Sequence, residues 1–223
     1  MEAGQNLGDI VVPTGRHGLP ADVVTEHQRE RILAASIALM GRQGYQATSV
    51  LQIMKAARVG SHAFYGLFED REGCFLAALQ RIVADTRSDL ARQVSGELPW
   101  AEQIREGIGV LVALIAAEPE RARLVLVEAQ GAGRRAYRFY EDAMDEAVPK
   151  LAEGRRLRGQ DAPELSAATE EATLTGIAWI LQQMLAEGDS AKAQETLRAA
   201  THVALAPYLG ETEAAKIAAG AKL

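Results

Sequence analysis

The chain has 223 residues, of which 48% are hydrophobic and only 5% aromatic, with a net charge of −6. That length allows one large domain or a small domain joined to a larger one, and the composition suits an alanine- and leucine-rich helical core. The single cysteine, Cys74, excludes an intrachain disulfide and a multi-cysteine metal site. The longest apolar run, 108–117, is too short to cross a bilayer, and residues 1–10 are acidic and polar, unlike a signal peptide, so no membrane partner and a cytoplasmic location are expected. The charge is uneven. Between His27 and Arg71 stand six basic residues and three acidic ones, a balance of +3, which leaves −9 for the remainder. A mildly basic segment on an acidic body fits a DNA-binding head on a body that avoids DNA.

In chain order, residues 1–20 are polar and rich in glycine and proline and read as a flexible arm. The first helix is expected from Asp22 or Thr25, either of which could cap it, with Ile32, Ala35 and Leu39 on its buried face. Gly44 supplies a left-handed stop, and Tyr45 folds back on the preceding turn. Thr48 or Ser49 caps a short second helix whose Val50, Ile53 and Ala57 share a face, and 58–60 make a turn. A third helix over 61–68 places Phe64 and Phe68 inward. Asp70 caps a long fourth helix over 71–93.

Beyond residue 95 the pattern is helical throughout. Helices are expected from Pro99 or Trp100 to about 118, from 119 to about 130, over 136–154, over 163–187 and over 190–209, with a tail helix from 211. Residues 154–162 read as an exposed loop, and Arg155, Arg156 and Arg158 as the solvated end of a helix. Gly131-Ala132-Gly133-Arg134-Arg135 faintly suggests a phosphate loop, but no strand precedes it and a plain turn is the better reading. The fold class is therefore all-α, and the expected boundaries are 1–20, 21–70 and 71–223.

Residues 48–68 have the requirements of a helix-turn-helix, with apolar anchors inside and small or polar residues outside to enter a major groove. No nucleophile and base can be paired into a catalytic set. Glu128 and Tyr137 are the inward ionisable candidates of the body, and they form no recognisable constellation. The four histidines show no metal-ligand spacing, and no cofactor is implied. Cys74, among Phe75 and Leu76, reads as an inert buried thiol.

The run Arg31-Ile-Leu-Ala-Ala, then Gly44-Tyr45-Gln46-Ala47-Thr48-Ser49-Val50, Ile53, Ala56-Ala57, Val59, Phe64-Tyr65, Phe68 and Cys74-Phe75-Leu76-Ala77-Ala78 resembles the N-terminal domain of the TetR (tetracycline-repressor-like) family of transcriptional regulators. The resemblance implies a three-helix DNA-binding domain joined by the long fourth helix to a helical ligand-binding and dimerisation domain. It implies phosphate contacts by Thr48, Ser49, Tyr65 and Arg71, and base-edge positions at Ser61, His62 and Ala63. Lys55 and Arg58 stand within reach of phosphates. The chain departs from the pattern where Arg58 replaces the usual turn glycine, at a cost of roughly 1 kcal/mol. It departs again at Gly66 and Leu67, which replace polar residues.

The expected partners are a double-stranded operator, a small apolar or amphipathic effector, and a second copy of the chain paired through the helices at 163–187 and 190–209. The two-sided apolar pattern around Leu174, Ile177, Trp179, Ile180 and Leu181 fits that pairing. Candidate effector-pocket residues are Leu79, Ile108, Val112, Leu126, Tyr137, Tyr140, Met144 and Trp179. The implied function is a repressor released from its pseudo-palindromic operator by ligand. The alternative is a helical ligand-binding or interaction protein that has lost specific DNA binding.

Overall fold

The computed structural model describes residues 20–159 and 162–220, and these contain α-helices and short 3-10 turns with no strand. The expected arm at 1–20 lies, save Pro20, outside the described residues. The helices are α1 (Ala21–Gln43), α2 (Val50–Ala57), α3 (Ser61–Leu67), α4 (Arg71–Gln93), α5 (Trp100–Ala117), α6 (Pro119–Leu126), α7 (Arg134–Asp145), α8 (Val148–Ala152), α9 (Thr169–Glu187), α10 (Ala193–Leu209) and α11 (Glu211–Ala218).

Local chemistry explains most of the boundaries in the first third. Helix α1 starts directly after Pro20 without a side-chain cap, so neither Asp22 nor Thr25 caps it; Asp22 lies in its first turn, where a negative charge is favourable. It ends at Gly44, whose φ of 88° is open to glycine and strained for other residues. Ser49 caps α2 through a capping box. Its Oγ accepts from the Gln52 amide at 3.3 Å, while Gln52 Oε1 accepts from the Ser49 amide at 2.8 Å. Asp70 caps α4 by accepting from the Gly73 amide at 2.6 Å.

Two apolar cores form. The first gathers Ile32, Met40, Ile53, Phe64, Phe68 and Phe75 from α1 to α4, and it also contains Leu124, Ala129, Ala132 and Ala136 from α6 and the start of α7. The second gathers Ile104, Ile108, Leu181, Leu205 and Ile217 from α5, α9, α10 and α11. Helix α1 lies directly on α6 at Gly41, where an added Cβ would stand 2.6 Å from the Glu120 carbonyl oxygen. Only glycine permits that approach.

The stretch 136–168 departs from expectation. A single helix over 136–154 is broken after Asp145, and the short α8 starts at Val148 with Pro149 in its first turn. The expected exposed loop begins instead as a 3-10 turn, Glu153–Leu157, in which Gly154 is buried. Gly154 fits between Trp100 and Tyr208, so closely that a Cβ would lie 2.5 Å from Trp100 Cη2. Arg155, expected in solvent, bonds both carboxylate oxygens of buried Glu170 at 2.7 and 2.6 Å, and Arg158 bonds the carbonyls of Pro207 and Pro163. Only Arg156 of the three is exposed. Nonlocal partners account for the difference: Glu170 already accepts from the Tyr208 hydroxyl at 2.9 Å and, being buried, requires a cation. Helix α9 accordingly starts at Thr169, later than 163.

Candidate functional site

The turn between α2 and α3 is held by backbone bonds that a left-handed residue creates. Arg58 has φ 53° and ψ 47°, its amide donates to the Lys55 carbonyl, and the Val59 amide reaches back to Met54 at 3.0 Å. This is a Schellman closure with arginine where glycine is easiest. Arg31 of α1 supports it, donating to the carbonyls of Ala57 and, at 3.0 Å, Arg58. Phe64 stacks edge-on to Tyr65 at 5.3 Å and tilts against Phe68 at 5.7 Å, which fixes α3 on its inner face.

The outer face is then defined. Ser49, Lys55, Arg58, Ser61, His62 and Tyr65 are exposed, Tyr65 by 58%, and Ala63 is half-buried. Thr48 is different. It is fully buried, its hydroxyl donates to the Gly44 carbonyl at 2.8 Å, and it accepts from Gln43 Nε2 at 3.1 Å. The side chain holds the turn before α2 and faces away from solvent. Arg71 is likewise engaged: it donates to the Thr48 carbonyl at 2.8 Å and lies 4.2 Å above the Tyr45 ring. Leu51 of α2 is also exposed, by 71%.

Sequence reasoning missed the residues that tie this head to the body. Glu128, just past α6, accepts from the Tyr45 amide at 2.8 Å and from Arg123 Nε at 3.0 Å. Gln46 donates to the Gly131 carbonyl at 3.1 Å, and Glu72 in the first turn of α4 accepts from the Arg135 amide at 3.0 Å. The position of Glu128 beside an apolar helix marked it as inward, but its partner lies 83 residues away and leaves no local pattern.

Behind α6 lies a cavity of about 870 Å³ between α4, α5, α6, α7 and α9. Four of the eight expected lining residues are there: Ile108, Leu126, Tyr140 and Met144. The other four are not. Leu79 is packed in the first core, and the cavity wall of α4 begins one turn later at Ile82 and Val83. Val112 belongs to the second core, while Tyr137 and Trp179 point outward and are 43% and 60% exposed. Helical periodicity marks an apolar face as buried without telling a packed wall from a hollow one. The interior surface is aliphatic, from Leu111, Val125, Ile177 and Leu181 among others, and burial pushes the Tyr140 hydroxyl above its ordinary range. Charges gather at the rim, where they are matched: Arg87 with Glu146 at 2.5 Å, Arg121 with Asp85 at 2.6 Å, and Arg92 with Asp89. Among the described residues no group of three metal-binding side chains occurs, and no helix is long and apolar enough to cross a membrane.

Comparison with known proteins agrees with this geometry. Residues 32–78 match the family described as bacterial regulatory proteins, tetR family. The HTH-type transcriptional regulator HbdR of Aromatoleum sp. (strain CIB) is 25% identical over 95 residues, which span 43% of this chain and 42% of that protein. Among solved structures, the regulatory protein TetR from Rhodobacter sphaeroides aligns with a TM-score of 0.62 at 21% identity, covering 79% of this chain and 98% of that one. The transcriptional regulator FadR from Bacillus subtilis, solved with stearoyl-CoA, aligns with a TM-score of 0.65 at 14% identity, covering 81% and 98%. These likenesses fix the all-helical architecture along most of the chain, and the match at 32–78 fixes the nature of its head. The tetR-family match thus covers the head, residues 32–78, while the rest of the chain is similar to these solved structures in fold.

Proposed function

We propose that this chain is a transcriptional repressor that binds a pseudo-palindromic operator as a homodimer and is released by a small apolar or amphipathic molecule. The observation that carries the reading is the double role of α6. One face, through Val125 and Leu126, lines the cavity, while Gly41 packs on the helix at Glu120 and Glu128 beyond its end holds the Tyr45 amide. A ligand that displaces α6 therefore changes the placement of the head, so ligand and DNA affinities are linked by one coupling free energy.

On the DNA side, exposed Ser49, Lys55, Arg58 and Tyr65 are suited to phosphates, and Ser61, His62 and Ala63 to base edges. The family's phosphate roles at Thr48 and Arg71 pass largely to Ser49 and Arg58, because both side chains are spent on the turn. On the effector side, the cavity lies within the roughly 300–1,000 Å³ range of small-molecule sites. Its aliphatic interior and self-neutralised rim favour an apolar body with at most a modest polar end. The stearoyl-CoA bound to the Bacillus subtilis FadR supports a ligand with a long apolar portion. Exposed Trp179 on α9 supports pairing of two copies through α9 and α10. Such a dimer would place its two α3 helices about one DNA turn apart. The cytoplasm is the expected place of action.

A gel shift with the DNA upstream of the chain's own gene tests the reading. The wild-type protein should retard that fragment in a salt-sensitive way, Tyr65→Phe should weaken the complex, and fatty acids or aromatic acids should be screened for release. Absence of any DNA binding would favour the alternative, a helical ligand-binding or interaction protein that has lost specific DNA binding.

A further inference from the structure

The turn 131–135 carries basic side chains that the helix-turn-helix does not use. Arg134, Arg135 and Arg138 are all exposed, and they stand at the start of α7. Their backbone belongs to the head: Ala132 and Ala136 are buried in the same core as Ile53 and Phe64. Two hydrogen bonds pin the segment there, from Gln46 to the Gly131 carbonyl and from the Arg135 amide to Glu72. Gln46 is three residues before the Ser49 cap of α2, and Glu72 follows Arg71, which itself bonds the Thr48 carbonyl. The start of α7 thus lies at the same end of the molecule as the starts of α2 and α4.

Acidic neighbours offset this patch only in part. Asp70 and Glu72 keep their charge but direct it at the Gly73 and Arg135 amides, and neither pairs with a guanidinium. Glu69 is 4.0 Å from Arg135 Nη1, a loose pair in which the carboxylate side chain is 84% exposed. An exposed pair of that kind contributes little and gives way readily to a denser line of negative charge.

We propose that Arg134 and Arg135 form a second DNA-backbone contact, supplied by the body and set rigidly beside the helix-turn-helix. It rests on the reading of the chain as a DNA-binding regulator. The partner is the phosphate backbone of the duplex on which the head docks, next to the phosphates met by Ser49. The contact carries no base preference and adds affinity to a head whose own reading face is sparse.

The test is the salt dependence of binding to a labelled 30-base-pair duplex of random sequence, followed by fluorescence anisotropy with the full chain. Each phosphate contact contributes about 0.9 to the slope of log K against log salt. The double variant Arg134→Ala/Arg135→Ala should lose about 1.8 from that slope for each bound protomer, about 3.6 for a dimer, and Arg134→Lys/Arg135→Lys should keep it. Both side chains are exposed and Glu72 bonds only the Arg135 backbone, so the fold survives, which circular dichroism checks. Arg156→Ala, an exposed arginine on the 3-10 turn near Trp100, should leave the slope unchanged. A double-alanine slope equal to that of the wild type, or a loss matched by Arg156→Ala, overturns the proposal while leaving the regulator reading intact. Failure of the wild-type chain to bind any duplex removes both.

Discussion

The carboxylate of Glu128 accepts a 2.8 Å hydrogen bond from the backbone amide of Tyr45, a residue whose ring lies between the Arg71 guanidinium and Phe75. Glu128→Ala leaves that nearly buried amide unpaired and should cost about 1–3 kcal/mol. Glu128→Gln restores an acceptor without its charge and should recover part of the loss. Denaturant unfolding of the three proteins gives the comparison; equal midpoints would mean that the bond contributes nothing.

Gly41→Ala should destabilise the fold even though alanine favours helices. The propensity gain is roughly 1 kcal/mol. The new Cβ, however, would meet backbone atoms of Glu120 at 2.6 and 2.7 Å, so α1 and α6 must separate. Overpacking of this kind costs about 1–3 kcal/mol. The melting temperature should fall, and a rise would show that the two helices part freely.

Arg58→Gly should have opposite effects on stability and on DNA binding. Relief of the left-handed arginine is worth about 1 kcal/mol. The Arg31 bond to the residue 58 carbonyl does not depend on the side chain and persists. Loss of the exposed guanidinium should weaken duplex binding and flatten its salt dependence by about 0.9 for each bound protomer. Thermal unfolding and anisotropy titration of one preparation measure both.

The pair Arg155–Glu170 predicts an acid-sensitive window. The hydrogen bonds from Arg155, aided by that from Tyr208, hold the Glu170 carboxyl below its ordinary range. A carboxylate with a lowered folded pKa stabilises the protein fully above its unfolded value of about 4.3, and that stability is lost as pH falls through the folded value. Glu170→Gln should therefore be less stable than the wild type at pH 7, with the gap narrowing below about pH 4.3. A gap that stays constant down to pH 3 would contradict this.

Cys74 should be silent in the folded protein. Burial pushes its thiol up to about 11, with Ser36 Oγ 3.1 Å away as its polar neighbour. At pH 8 only about one thiol in a thousand would be ionised. An aromatic disulfide reagent should react after unfolding and not before; rapid labelling of the native chain would show that the head opens.

The parts of the molecule that were legible in sequence are those fixed by neighbours along the chain. Ser49 with Gln52, Asp70 with Gly73 and the turn at Arg58 each close within a few residues, so residue type and spacing announce them. Arg155 could not be read that way, because its need for Glu170 arises only when α9 and α10 bury that carboxylate. Thr48 misled for a related reason: a threonine beside a helix cap looks solvent-facing until Gln43 and Gly44 close over it. Leu79 and Ile82 share one buried stripe of α4 and the same core, yet only Ile82 also borders the hollow. Amphipathic spacing records burial and carries no trace of what lies opposite.

The shared core of the head, with Leu124, Ala129, Ala132 and Ala136 set among the side chains of α1 to α4, limits how this protein can be recombined. A chimera that exchanges residues 21–70 for the reading head of a relative would seat foreign side chains against these small alanines and lose the Tyr45 and Gln46 attachments to Glu128 and Gly131. On the proposed reading, operator choice can therefore drift one side chain at a time on the outside of α3, but the head cannot be transplanted as a cassette unless the segment from α6 to α7 travels with it.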